Sequence, residues 1–144
     1  MVEENGEWKR ISETSNSTKG KFGEMMADDW AAKQKPPWEK VNGPAATMGT
    51  PGHQGLDAVY RNPKPPPDYY VVDAKYGSAG LGRLKDGTEQ MSPKWIRNRL
   101  DDELGEDLAF EVNGSYEPVI LRVGKDGQVT VESLATRVWR EQDR

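Results

Sequence analysis

The chain contains no cysteine and a single histidine, His53. The first absence removes disulfides, cysteine-bound structural zinc and thiol nucleophiles together. The second removes histidine-rich metal centres and the zinc deaminase signature. No apolar run approaches bilayer-spanning length, and the first residues carry no signal-peptide hydrophobic segment, so the expectation is a soluble chain with no membrane partner. A broad basic face is missing too: the formal charge is −4 and the sequence pI about 5.1. The acidity is unevenly placed, however. Over residues 1–100, 15 Lys and Arg stand against 13 Asp and Glu, a balance of +2; over residues 101–144, 5 stand against 11, a balance of −6. The first part can therefore still face a polyanion, most readily through a metal-dependent cleft whose acids are neutralised by the ion.

What is present is room for one core. At 144 residues, 34% hydrophobic and 31% charged, the sequence predicts one domain with a modest interior. Residues 1–18 are polar without a period and read as a leader or linker; 19–144 form the domain, with a core over about 20–104 and a C-terminal hairpin and helix over 117–141. Phe22, Met25, Met26, Ala27, Trp30 and Ala31 recur at helical spacing before Pro36-Pro37. A Pro, Gly and Thr-rich loop follows over 36–54. Two β-prone runs, 56–61 and 69–76, are joined by a turn with four prolines, which cannot donate to a sheet ladder.

A second helix is expected over Glu89–Leu104, with Ser92 capping it, Pro93 in its first turn and Trp95 in the core. Residues 117–123 and 128–132 flank Gly124-Lys125-Asp126-Gly127, a hairpin signal, and 133–141 are expected to close the chain as a short helix. The fold class is α/β (α+β), a mixed central sheet of about four or five strands flanked by helices.

Asp73 and Lys75 lie two residues apart on the second run and share a strand face; Asp57 stands at the tip of the neighbouring run. Carboxylates on adjacent strands with an ammonium beside them can hold a hard cation and a phosphate oxygen together. The same three residues could instead be a buried ion-pair network of a non-catalytic interaction module, although such networks are costly. His53, in the loop before Asp57, is either incidental or an auxiliary acid or base. Gly77–Gly82 lacks a following Gly-Lys-Ser/Thr, so it is no P-loop; it reads as a flap beside the site. The cluster Asp101-Asp102-Glu103 with Glu106-Asp107 reads as a solvated helix end.

Gly55-x-Asp57-x-Val59, then Val71-Val72-Asp73-Ala74-Lys75, with Gln90 opening the next helix, resembles the PD-(D/E)xK restriction-endonuclease-like superfamily. More narrowly, Gly52–Arg61 and Tyr70–Gly77, with Gln90-Met91-Ser92 and Trp95, resemble the C-terminal nuclease domains of bacterial polymorphic toxins, such as contact-dependent growth-inhibition effectors and other secreted effectors. Two departures stand out: the signature acid is Asp rather than Glu, and no literal Pro-Asp precedes it.

The resemblance implies a restriction-endonuclease-like fold and a metal-dependent endonuclease acting on DNA, or alternatively on RNA or tRNA. It implies delivery into a target bacterial cytoplasm and neutralisation by a cognate immunity protein. It assigns Asp57, Asp73, Lys75, Glu24 and Gln90 to catalysis, with Asp57, Asp73 and Glu24 as ligands of a divalent metal: Mg²⁺ first, Mn²⁺ or Zn²⁺ as alternatives. Glu39 is a substitute for Glu24, and Gln90 would hydrogen-bond a nucleophilic water or a phosphate. Lys94, Arg97 and Arg99 would serve nucleic-acid binding through phosphate contacts without sequence preference.

Overall fold

The computed structural model describes residues 1–49 and 55–144; His53, with its neighbours Gly52 and Gln54, lies outside the described residues. A five-stranded mixed sheet is flanked by helices. In chain order the elements are β1 (Val2–Glu4), β2 (Glu7–Lys9), α1 (Asn16–Ala32), β3 (Glu39–Lys40), β4 (Ala58–Arg61), β5 (Tyr69–Tyr76), α2 (Pro93–Leu104), α3 (Glu106–Gly114), β6 (Tyr116–Val123) and β7 (Val129–Ser133). The large sheet runs β3-β4-β5-β6-β7, antiparallel except for the β5–β6 pair. Because β5 and β6 are parallel, the chain must cross over between them, and α2 and α3 make that crossover.

Alternation along the strands sorts the core into two layers. Val59, Tyr69, Val71 and Ile120 pack with Trp95, Ile96, Leu100, Ala109 and Val112 of α2 and α3. Ala58, Tyr60, Val72, Val119 and Leu121 pack with Ala27 and Ala31 of α1. β5 is covered on both faces, which accounts for its continuous apolar run.

Helix α1 begins where Ser15 Oγ accepts from Thr18 N at 3.2 Å. It lies close on β5: a Cβ added at Gly23 would touch Tyr76 N and Lys75 C at 3.6 and 3.7 Å. Farther along, buried Asp28 ties the helix to its surroundings. Its carboxylate accepts from Lys40 Nζ at 2.8 Å, from Ala46 N at 2.7 Å and from the Tyr60 hydroxyl. Burial first, then the Asp28 charge, pushes the Tyr60 phenol far above its ordinary range, so it stays a donor.

Three stretches depart from the sequence expectation. Residues 1–18 are not a featureless leader. Asn5 and Gly6 adopt φ of 51° and 82°, the geometry of a tight hairpin turn, and β1 pairs with β2. Glu4 then accepts from Ser15 N, Ser15 Oγ and Thr18 Oγ1 at 2.9, 2.8 and 2.6 Å. These bonds, the Thr18 hydroxyl first, lower its pKa to about 2.

The acids at 106 and 107 are not the end of one helix. Gly105, at φ 78°, stops α2, and Glu106 and Asp107 open α3, where the helix dipole favours them. Finally, 133–141 is no helix; only Glu141–Asp143 makes a single 3-10 turn. The tail is spread instead so that Leu134, Trp139 and Asp143 are all buried, and those contacts outweigh local helical bonds. No helix among the described residues is long and apolar enough to cross a membrane.

Replacing Asp28 by Ala leaves Lys40, whose side chain is 16% exposed, without its counter-charge. Loss of one partner from a buried pair predicts a fall in unfolding free energy of about 3–5 kcal/mol, read by urea titration. A loss below about 1 kcal/mol would show that the Asp28 cluster does not anchor α1.

Candidate active site

The β4–β5 register ends with Ala58 opposite Val72, so Asp57, one residue before Ala58, falls beside Asp73, one residue after Val72. Asp57 Oδ2 accepts the Ala74 amide at 2.8 Å, which extends the ladder by a side chain where the backbone pairing stops. Asn42 supports this end of the strand: its Oδ1 accepts from Val59 N at 2.8 Å, and its amide reaches the Asp57 carbonyl at 3.5 Å.

Asp73 is 2% exposed. Its Oδ1 accepts from Gln90 Nε2 at 3.1 Å. Its Oδ2 lies 3.1 Å from Lys75 Nζ, a charge contact without hydrogen-bond geometry, and this buried oxygen has no hydrogen bond. Gln90 Oε1 accepts from Lys75 Nζ and from Gly82 N, each at 3.2 Å. One amide thus orients the acid and the lysine and ties both to the Gly-rich stretch.

Glu24 reaches the same place from α1. Asp57 has a carboxyl pKa well above the ordinary 3.8 because of burial first, then the Asp73 charge, then a hydrogen bond with Glu24. Asp57 is thus flanked by Asp73 on one side and Glu24 on the other, and both oppose its negative charge.

Gln90 does not sit in the helix, as the sequence suggests. Met91 takes a positive φ of 68°, uncommon for a side chain of its size, and this turn delays the helix until Ser92 caps it by accepting from Trp95 N. The C-terminal tail braces the turn. Asp143 Oδ1 accepts from Glu89 N at 3.2 Å, Arg140 donates to Gly87 O at 2.6 Å, and Arg137 pairs with the Glu89 carboxylate. Burial opposes the Asp143 charge, but the Glu89 amide and Arg140 hold its pKa below the usual range.

Asp57 also lines two cavities. One of about 330 Å³ includes Gly82, Arg83, Gln90, Trp95 and Arg99; one of about 160 Å³ includes Glu24, Lys40, Asn42 and Glu103. The structure therefore gathers Asp57, Asp73, Lys75, Gln90 and Glu24, with Arg99 at the rim. Lys94 lies near Asp86, whose carboxyl is held low by the Thr88 amide first and by Lys94 and Arg99 after it. Arg97 points elsewhere: it donates to Arg144 O at 2.9 Å and borders a depression between α2 and α3. Glu39 meets Arg61 at the outer edge of the sheet, at 3.9 Å, not in the cleft.

Comparisons with protein-family models, with curated proteins and with solved structures find no significant match. The case for the site rests on its geometry.

Sequence reading did not single out Arg83, Asn42 or Glu103 as cleft residues. Arg83 carried a signal only in hindsight, as the cation following the Gly77–Gly82 stretch. The flap expected there is pinned at its base, where Arg122 Nη1 donates to Gly77 O and Ala79 O at 2.7 and 2.8 Å.

Among the described residues no three His, Cys, Asp or Glu side chains form a set that could hold an ion unaided. Mg²⁺ does not need one: it is usually held by one or two carboxylates together with waters and substrate phosphates. Asp73 Oδ2, buried without a hydrogen bond and facing only the Lys75 ammonium, and the crowded carboxyl of Asp57 offer oxygen donors of the type such an ion takes.

The sign of the Asp57 effect gives a test. Its folded-state pKa is raised, so its stabilising contribution is complete below about pH 4 and is lost as pH rises. Asp57→Asn, which can still accept the Ala74 amide, should unfold at a higher temperature than wild type in chelator at neutral pH, and its advantage should widen between about pH 4 and pH 8. An advantage independent of pH would contradict the assignment.

Proposed function

We propose that the protein is a metal-dependent endonuclease hydrolysing phosphodiester bonds in DNA, on a restriction-endonuclease-like fold. The observation that carries the reading is the shared clamp: Gln90 bonded at once to Asp73 and Lys75, with Asp57 beside Asp73 just past the end of the β4–β5 ladder. The order of helix with acid, strand with Asp57, strand with Asp73-Ala74-Lys75, then the turn with Gln90, supports the superfamily resemblance.

Asp57 and Asp73 would hold a divalent ion together with waters and substrate phosphate oxygens, with Glu24 of α1 beside Asp57. Such an ion, when bound, supplies a bound water of lowered pKa and neutralises charge at the phosphate. Lys75, fixed by Gln90, presents its ammonium where negative charge would grow on phosphate oxygens, or orients the attacking water. Gln90 keeps Lys75 from collapsing wholly onto Asp73, because its carbonyl shares the ammonium. Arg83 and Arg99 attract the polyanion to the cleft. A role as an interbacterial toxin, delivered into a target cell and blocked by an immunity protein, is proposed from the sequence resemblance alone.

Purified protein incubated with plasmid DNA and with total tRNA, in Mg²⁺ or Mn²⁺ and in EDTA, tests the reading. Metal-dependent cleavage of DNA is expected, with Asp73→Ala and Lys75→Ala at least about 100-fold slower and Gln90→Leu about 10–100-fold slower. Cleavage confined to tRNA would move the substrate to RNA. No metal-dependent loss of either would leave a binding module, and cleavage that persists in both alanine variants would remove the site assignment.

A further inference from the structure

Asp57 stands between two cavities of opposite charge. On the smaller side it is joined by Glu24 and Glu103, and the Lys40 there is already committed to Asp28 and to Pro44 O, at 2.8 and 3.1 Å. On the larger side the other charged groups are two guanidiniums, Arg83 and Arg99. We propose that the larger cavity is a phosphate subsite, taking the phosphate next to the one cleaved, with Arg83 and Arg99 as its ligands. This rests on the nuclease reading and adds to it where the neighbouring nucleotide sits.

The two arginines are held in different ways, with Asp86 near Arg99 and Asp143 near Arg83. The Arg99 guanidinium lies 4.4 Å from the centre of the buried Trp95 ring and spends one donor on the Trp95 carbonyl, at 3.2 Å. Stacking on an indole fixes the plane of a guanidinium while its remaining donors stay available for a planar or tetrahedral oxyanion. Arg83 donates to Gly87 O at 3.2 Å and contacts Glu89 at 3.4 Å. Glu89 is shared with Arg137 and Asp143 pairs with Arg140, so three guanidiniums meet two carboxylates and the cluster keeps a net positive charge. The tail thereby aims Arg83 as well as Gln90.

Gly55 and Gly82, which have no side chains, share the lining with Leu84, Gln90 and Trp95. A volume of about 330 Å³ is at the small end of ligand pockets, the scale of one nucleotide unit rather than a duplex segment.

The test uses Asp73→Asn to stop cleavage and follows the anisotropy of short fluorescein-labelled DNA, single-stranded and duplex, at several salt concentrations. Added Arg83→Gln or Arg99→Gln should make the slope of log affinity against log salt shallower by about 0.7 for a single strand or about 0.9 for a duplex. Lys64→Gln, in the proline turn at the far end of the sheet, should leave the slope alone, and Arg99→Lys should retain it, which separates lost charge from a disturbed Trp95. Binding whose slope ignores both arginines overturns the subsite even if wild type cleaves DNA. Arginine-dependent binding without metal-dependent cleavage by wild type supports phosphate capture by the two arginines and overturns its place beside a cleaved phosphate. No binding of either DNA overturns both.

Discussion

The site depends on one piece of strand pairing. With Ala58 opposite Val72, the backbone ladder between β4 and β5 ends one residue short of Asp57 and Asp73, and the Asp57 carboxylate takes the next amide in line. A slip of one residue would send Asp73 and Lys75 to the other face, under α1, and bring Val72 and Ala74 to the cleft. The register is protected by burial on both faces: Val71 and Val72 are wholly enclosed, one in each core layer. Placement of the candidate site residues and core packing are therefore the same constraint.

Around that pair the molecule arranges two forms of electrostatic tension. Carboxyl groups from α1, from β5 and from the residue before β4 converge so that burial and its neighbours raise the Asp57 pKa well above the ordinary range. A single amide, Gln90, is divided between an acid and a lysine whose direct contact lacks hydrogen-bond geometry. Neither arrangement is what a fold seeking only stability would choose, since buried ionic groups are seldom worth their desolvation. Both become reasonable if a cation and a phosphate complete the cluster, the cation toward Glu24 and the phosphate toward Arg99.

Much of this was legible in the sequence, for local reasons. The apolar runs around a four-proline turn, the Gly124–Gly127 hairpin and the amphipathic pattern from Phe22 to Ala31 define the sheet and its first helix, and spacing alone puts Asp73 and Lys75 on one face. What escaped depends on distant partners. Arg83 matters only because the 82–90 turn folds back over Gln90, and Asn42 only because a Pro/Gly loop crosses β4. The tail resembles a helix until Trp139 and Asp143 are seen buried against that turn. Two misses were local: Asn5-Gly6 is a hairpin signal inside a polar stretch, and Gly105 with two acids after it marks a stop and a new start.

The most direct measurement is thermal unfolding at neutral pH with and without Mn²⁺. An ion held by Asp57 and Asp73 binds the folded state alone, so at a hundredfold excess over its dissociation constant it should add about 2.7 kcal/mol and raise the midpoint, and the rise should disappear in Asp73→Asn. A midpoint indifferent to Mn²⁺ in wild type, or a rise that survives in Asp73→Asn, would contradict the account.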